Sequence, residues 1–330
     1  MKAQASCADA MGAFSAHRWR WRCVALALLL TAVQGPALAA EEGLDVVRFA
    51  LDRSLFRDLN KNDGDVAVHA YTRSVGEDYG LGARVTVVDG LPETVAALQR
   101  NEVDLVGIQG QWLTDIPPEL VEGPVLVPIV GQRIFEEYVL LVRTPDPAKR
   151  VADLKGRRLI VSTDLRSELL STWLEVLFHD EGLAPPRAVL GSIVEATKPA
   201  QVVLPVFFGK ADACVVTRAA WETMGELNPQ VRAQLRAIAT SPPVIPGFSF
   251  FRRGIAPGLK ALVRRAVASS QDKPAFRQIL TLFRLSGIVE QPESALDSTR
   301  ELVIRYQALR RGDRTRPARG AAGAGPPRRP

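Results

Sequence analysis

The residues best suited to chemistry are hydroxyls and cations that follow short apolar runs. In RLIVSTDLRSELLSTWLEVLF, from Arg158 to Phe178, the run Leu159-Ile160-Val161 gives way to Ser162, Thr163, Asp164, Leu165, Arg166 and Ser167. Leu170, Trp173, Leu174 and Leu177 then recur at the spacing of one helix face. A strand, a polar loop and a helix are therefore expected there. The first N–H groups of such a helix have no partners inside it. With the helix dipole they form a site for an anion. The competing use is local: Asp164 or Ser167 capping the helix. Similar polar groups follow other apolar runs: Arg53 and Ser54 after Val46–Leu51, Gln109 and Gln111 after Val103–Ile108, Thr217 and Arg218 after Asp212–Val216. Thr197 and Lys198, ahead of another apolar run, are further candidates.

Catalytic chemistry has no comparable support. No Ser/His/Asp set, phosphate loop or recognisable carboxylate pair is visible in the sequence. His17, His69 and His179 are scattered, and Cys214 lies in the apolar run ADACVV, where it reads as a small packed residue. The expected activity is binding, with no cofactor and no metal.

The elements that must position these groups alternate. Val46–Leu51, Arg84–Val88 and Val103–Ile108 read as strands, with helices expected over Asp65–Tyr79 and from Pro92, the latter with Val95 and Leu98 inward. Alternation of this kind implies a parallel sheet with crossover helices. Val125–Val130 and Glu137–Val142 then read as strands with only a short connection between them. A second alternation follows, with a short strand expected at Arg187–Leu190. Pro199–Phe208 is strand-like in composition, but Pro205 argues against a central strand, so a kinked helix is expected. Arg236–Phe251 reads as a return crossing. Helices starting at Pro257, at Pro274 and near Ala295 close the body, the last ending at Leu309.

The chain has 330 residues, 47% of them hydrophobic, enough for a large core in one long domain or two lobes. Its formal charge of +6 is concentrated at the ends: residues 1–40 carry +3 and residues 310–330 carry +6, which leaves −3 on the body between. A slightly acidic body argues against a nucleic-acid surface. HRWRWR, the apolar Cys23–Val33 and the small residues Pro36–Ala40 have the order of a secretory signal, cleaved near Ala39 or Ala40. The tail from Arg310 is arginine, glycine, alanine and proline and is expected to be disordered.

Specific motifs carry a resemblance. Gly90-Leu91-Pro92-Glu93-Thr94-Val95-Ala96-Ala97-Leu98 followed by Asp104-Leu105-Val106-Gly107, then Asp153-Leu154-Lys155-Gly156, then Gly209-Lys210-Ala211-Asp212-Ala213, resemble periplasmic solute-binding proteins of ABC transporters, in particular the phosphate/phosphite/phosphonate-binding group. The similarity covers roughly residues 45–290. It implies an α/β, type 2 periplasmic-binding fold of two lobes, each a mostly parallel sheet flanked by helices, joined by two hinge crossings. On that reading residues 44–138 plus 245–309 form lobe 1, and residues 139–244 form lobe 2. It further implies a monomer in the periplasm that holds a small anionic ligand between the lobes and serves an ABC permease or, alternatively, a membrane sensor. The group's phosphonate binders start the second-lobe helix with Ser-Thr-Ser-Gly. Here Thr163-Asp164-Leu165-Arg166-Ser167-Glu168 stands instead, with no glycine and two carboxylates. The ligand-binding candidates are therefore Arg53, Ser54, Gln109, Gln111, Thr163, Arg166, Ser167, Thr197, Lys198, Thr217 and Arg218.

Overall fold

Runs of β-branched and aromatic residues between turn signals become strands, and apolar stripes at helical spacing become the helices laid on them. The computed structural model describes residues 45–56, 79–270, 277, 280, 281 and 284–312. Its first part holds β1 (Asp45–Asp52), β2 (Leu81–Val88), α1 (Leu91–Gln99), β3 (Leu105–Gln109) and β4 (Val121–Ile129). The middle holds β5 (Tyr138–Arg143), β6 (Arg158–Ser162), α2 (Leu170–Asp180), α3 (Pro186–Val189), β7 (Ser192–Ala196), α4 (Pro199–Phe207), β8 (Ala213–Thr217), α5 (Arg218–Leu227), α6 (Pro229–Gln234) and β9 (Leu235–Thr240). The chain closes with β10 (Gly247–Arg252), α7 (Pro257–Ser270), β11 (Gly287–Gln291) and α8 (Asp297–Arg311). The expected helix at Asp65–Tyr79 and the one from Pro274 fall largely outside the described residues. The leader and the tail beyond Gly312 fall wholly outside them.

Two mixed sheets result. One has the order β11-β4-β10-β3-β1-β2 and the other β7-β6-β8-β5-β9. In the first, β1 runs parallel to β2 and β3, while β10 is antiparallel to β3 and β4. In the second, β6 runs parallel to β7 and β8, while β5 is antiparallel to β8 and β9. The chain passes between sheets after β4 and again after β9. The two crossings pair with each other: Glu136 N–H donates to Val244 C=O at 2.8 Å and Val244 N–H returns to Glu136 C=O at 2.9 Å. A two-rung antiparallel link of this kind is a narrow joint between two bodies that are each held by their own core.

Those cores differ in content. The first sheet packs Val106, Ile108, Val125, Val127, Phe248 and Leu296, all buried. The second packs Tyr138, Leu140, Leu159, Val161, Trp173 and Phe178. Full burial of one such aliphatic or aromatic side chain contributes about 1.5–3 kcal/mol, so these clusters hold the frame in which the polar turns sit. Cys214 is fully buried in a third cluster beside Val216 and Val231, as its apolar context implies.

The segment 245–309 is divided between the two bodies. β10 and β11 join the first sheet, but Leu302 and Val303 of α8 lie in the core of the second, beside Trp173 of α2. Arg305 pairs with Asp180, while Gln307 donates to Asp115 at 2.8 Å and Thr299 Oγ1 accepts from Ile245 N–H at 2.8 Å. The terminal helix therefore straps both bodies across the joint.

Several local expectations are corrected. Arg187–Leu190 is not a strand: Pro186 starts the single helical turn α3, and the strand comes next, at Ser192–Ala196. That strand sits at the sheet edge and has no fully buried residue, although Ile193 and Ala196 pack against the cores. In α1 the buried face is Thr94, Ala97 and Leu98 rather than Val95 and Leu98. The last helix outruns Leu309: Arg310 and Arg311 form its final turn and Gly312 closes it at φ 79°, where cations meet the negative dipole end and glycine takes the left-handed cap. As expected, Pro199–Phe207 is a helix, with Pro205 inside it.

Candidate functional site

Four strand ends face the gap between the sheets, and each local turn decides what its side chains can do. After β1, the buried carboxylate of Asp52 accepts from Ser54 N–H at 2.9 Å, from the Ser54 hydroxyl, and from Gly90 N–H at 2.9 Å. Burial pushes the Asp52 carboxyl upward while these N–H groups oppose the shift. Ser54 is thereby used locally, and Arg53 turns to pair with Asp89.

After β6, Asp164 does the same work with more partners. One carboxylate oxygen accepts from Arg166 N–H at 3.0 Å, Ser167 N–H at 2.9 Å and the Ser167 hydroxyl at 3.0 Å. The other accepts from the Ser162 hydroxyl at 3.1 Å. The cap expected as the competing use of this loop is the one adopted. Underneath, the fully buried Tyr138 hydroxyl donates to Arg166 C=O at 2.9 Å and accepts from Leu169 N–H at 3.3 Å. Burial, with Glu136 nearby, raises this phenol well above its ordinary value, so it stays protonated.

After β8, Thr217 caps α5 by accepting from Ala220 N–H at 3.2 Å. Arg218 leaves the gap: its Nε donates to Glu137 at 2.7 Å. After β3, Gln109 is buried and accepts from the Gln111 amide at 2.7 Å.

The gap itself is a cleft of about 750 Å³ lined from both sheets. Of the sequence candidates, Gln109, Arg166, Thr197, Lys198 and Thr217 line it. Arg53, Ser54, Gln111, Thr163, Ser167 and Arg218 do not. The expectation that all would converge is corrected by the turns themselves, which spend Ser54, Ser167 and Arg218 on neighbours within their own sheet. Thr163 is held through its backbone N–H on Ala196 C=O at 3.0 Å.

The cleft also exposes residues that the sequence did not single out. Glu136, Arg133 and Arg284 line it, beside Asp164, the cap residue of the turn. Glu136 sits in the joint, 7% exposed, with Arg166 Nη1 at 3.8 Å. Burial raises its carboxyl to about 7; Arg166 and Arg133 oppose this and Asp164 reinforces it. One signal for it was present. Glu136 and Glu137 are adjacent before an apolar strand, and alternation sends neighbours to opposite faces, so one of them had to turn inward. Arg166 reaches further. Its Nη2 donates to the carbonyl of Arg284 at 3.0 Å, and Arg284 lies just before β11 of the first sheet. That bond spans the cleft. Lys198 and Arg284 line the cleft with side chains that hold no ion pair among the described residues.

Among the described residues no group of His, Cys, Asp or Glu is placed to hold a metal ion, and no helix is long and apolar enough to cross a membrane. Burial pushes the Cys214 thiol up, out of the reactive range.

Comparison with known proteins gives this arrangement a family. Residues 67–296 match the profile described as "ABC transporter, phosphonate, periplasmic substrate-binding protein", and the chain belongs to that family. No curated protein sequence matches it. Solved structures share its fold. A Xanthomonas citri protein bound to ATP superposes with a TM-score of 0.57 at 16% identity, covering 81% of this chain and 98% of that one. A binding-protein component of an ABC phosphonate transporter from Pseudomonas aeruginosa gives 0.51 at 11%, covering 83% and 90%. A Prochlorococcus marinus protein in complex with methylphosphonate gives 0.51 at 13%, covering 80% and 98%. Membership makes this chain a periplasmic solute-binding component that presents a small molecule to an ABC permease, and not an enzyme.

Proposed function

We propose that this member of the phosphonate-binding family holds an anionic solute, phosphonate- or sulfonate-like, in the cleft between its two sheets, with Arg166 and Lys198 on the head group. Gln109, Thr197 and Thr217 supply hydrogen bonds around it. The observation that carries this reading is the position of Arg166. Its guanidinium stands between the sheets, with one nitrogen 3.8 Å from Glu136 and another donating to Arg284 C=O at 3.0 Å. Charge-assisted hydrogen bonds from such a group contribute on the order of 1.5–3 kcal/mol each, and less from Lys198, which is exposed.

The lobes that close on the solute are residues 44–138 with the strands of 245–309, and residues 139–244. The joint at Glu136–Val244 is the hinge, which suits the domain-closure motions of two-lobed binders. The chain works as a monomer after a leader ending near Ala39 or Ala40 is removed. The test is calorimetric titration with alkylphosphonates and alkanesulfonates. Arg166→Ala and Lys198→Ala should stay folded, and the first should weaken binding at least about tenfold, or roughly 1.4 kcal/mol. Wild-type affinity in both variants, or a preferred ligand that is a cation, overturns the reading.

A further inference from the structure

We infer that the solute carries an extended apolar body behind a single monoanionic head, so that the cleft selects by hydrocarbon size as well as by charge. This rests on the reading of the cleft as the solute site, and it comes from what the cleft wall offers and withholds.

What it withholds is the usual seat of a small dianion. Two donors of the second-sheet turn, the N–H groups of Arg166 and Ser167, already donate to Asp164. The corresponding turn of the first sheet is satisfied by Asp52. A compact dianion at the second turn would meet the Asp164 carboxylate, with Glu136 also in the wall. The cations that remain are side chains, Arg166, Lys198 and Arg284, and they share the cleft with those two carboxylates. Arg133 is partly committed, donating to Glu222 at 2.9 Å. With both carboxylates ionised, as they are well above pH 7, one net negative charge on the ligand suits that balance better than two.

What the wall offers is hydrocarbon. Phe49, Leu51, Leu126 and Ile288 line the cleft from the first sheet, and Leu165 and Met224 from the second. Phe135 lies at the cleft with 42% of its surface exposed. A large aromatic kept that open beside other apolar residues is costly in water unless something covers it. Before the lobes close, the cleft of about 750 Å³ has far more room than a head group with one methyl would fill.

The probes are n-alkanesulfonates and n-alkylphosphonates from methyl to octyl, titrated calorimetrically into the full chain at about pH 9.5. The sulfonates are monoanions there and the phosphonates largely dianions. Affinity should tighten about fourfold per added methylene over the longer members, as burial of about 0.8 kcal/mol per methylene implies. At equal chain length the sulfonate should bind more tightly. Phe135→Ser, at an exposed position that threatens no core, and Met224→Ala should each weaken the octyl member severalfold and leave the methyl member unchanged. Affinity that is flat with chain length, or best for methylphosphonate, overturns this inference and keeps the anion site. Failure of every member of both series to bind overturns the anion site and this inference together.

Discussion

The turn after β1 and the turn after β6 are built alike and used differently. In both, a strand ends in a polar run, an aspartate caps the next turn, and a serine hydroxyl bonds to that aspartate. In both, an arginine stands next to the cap. The first arginine, Arg53, folds back onto Asp89, and its aspartate is sealed in by the Gly90 N–H. The second, Arg166, extends over the cleft to the other sheet, and its aspartate remains part of the cleft wall. Similar local chemistry thus yields a structural staple in one place and part of the cleft wall in the other. The difference lies in what each turn faces: Asp89 is a near partner for Arg53, whereas Arg166 faces the joint and the buried Glu136.

The largest effect separating the two turns should be electrostatic. Glu136 faces only the second turn, and its carboxyl is raised from 4.5 to about 7, first by burial. Between those values the folded chain holds a proton that the unfolded chain has lost, so stability falls as pH rises across that window. The loss is on the order of 2–3 kcal/mol. Urea unfolding at pH 5 and pH 8 should show it, and Glu136→Gln should remove most of the difference. Equal pH dependence in both proteins would show that the buried carboxylate does not govern the joint.

Next in size are the caps. Asp52→Ala should cost about 1–2 kcal/mol through the lost cap and the unpaired N–H groups, with no change in solute affinity beyond that expected of a less stable fold. Asp164→Asn keeps an acceptor for the cap and removes a charge from the cleft wall. It should therefore tighten binding of an anionic solute about fivefold, the order expected for one unit charge at about 4 Å in a water-like medium. Calorimetry that gave the opposite pattern, with Asp52 controlling affinity, would invert the comparison. The smallest effect is that of Arg53→Ala. Its pair with Asp89 is exposed, so thermal unfolding should shift by no more than about 0.5 kcal/mol and affinity should stay the same.

Much was legible without coordinates because it rests on local rules. Leu159-Ile160-Val161 reads as a buried strand, Pro257 marks a helix start, and Pro205 excludes a central strand at Pro199–Phe208. Apolar period and turn chemistry act over a few residues, and the family motifs are local strings of the same kind. Gln109, Arg166, Thr197, Lys198 and Thr217 were reachable from sequence because strand ends in α/β sheets point toward the ligand crevice.

What the tertiary structure alone decided depends on residues distant in the chain. Whether a strand-end side chain meets the cleft or a neighbour depends on partners such as Asp89 for Arg53 and Glu137 for Arg218. Glu136 acquires its altered charge state from burial between two crossings, opposite Val244. β7 forms with no fully buried residue because β6 offers it an edge to pair with. The terminal helix lies on the second sheet's core, where Leu302 and Val303 find Trp173. The sequence determined which turns would carry donors and where strands and helices would form, since those choices are made within a few residues. Long-range packing determined which donors remain available to a solute, since a polar group is spent on whichever partner the fold brings nearest.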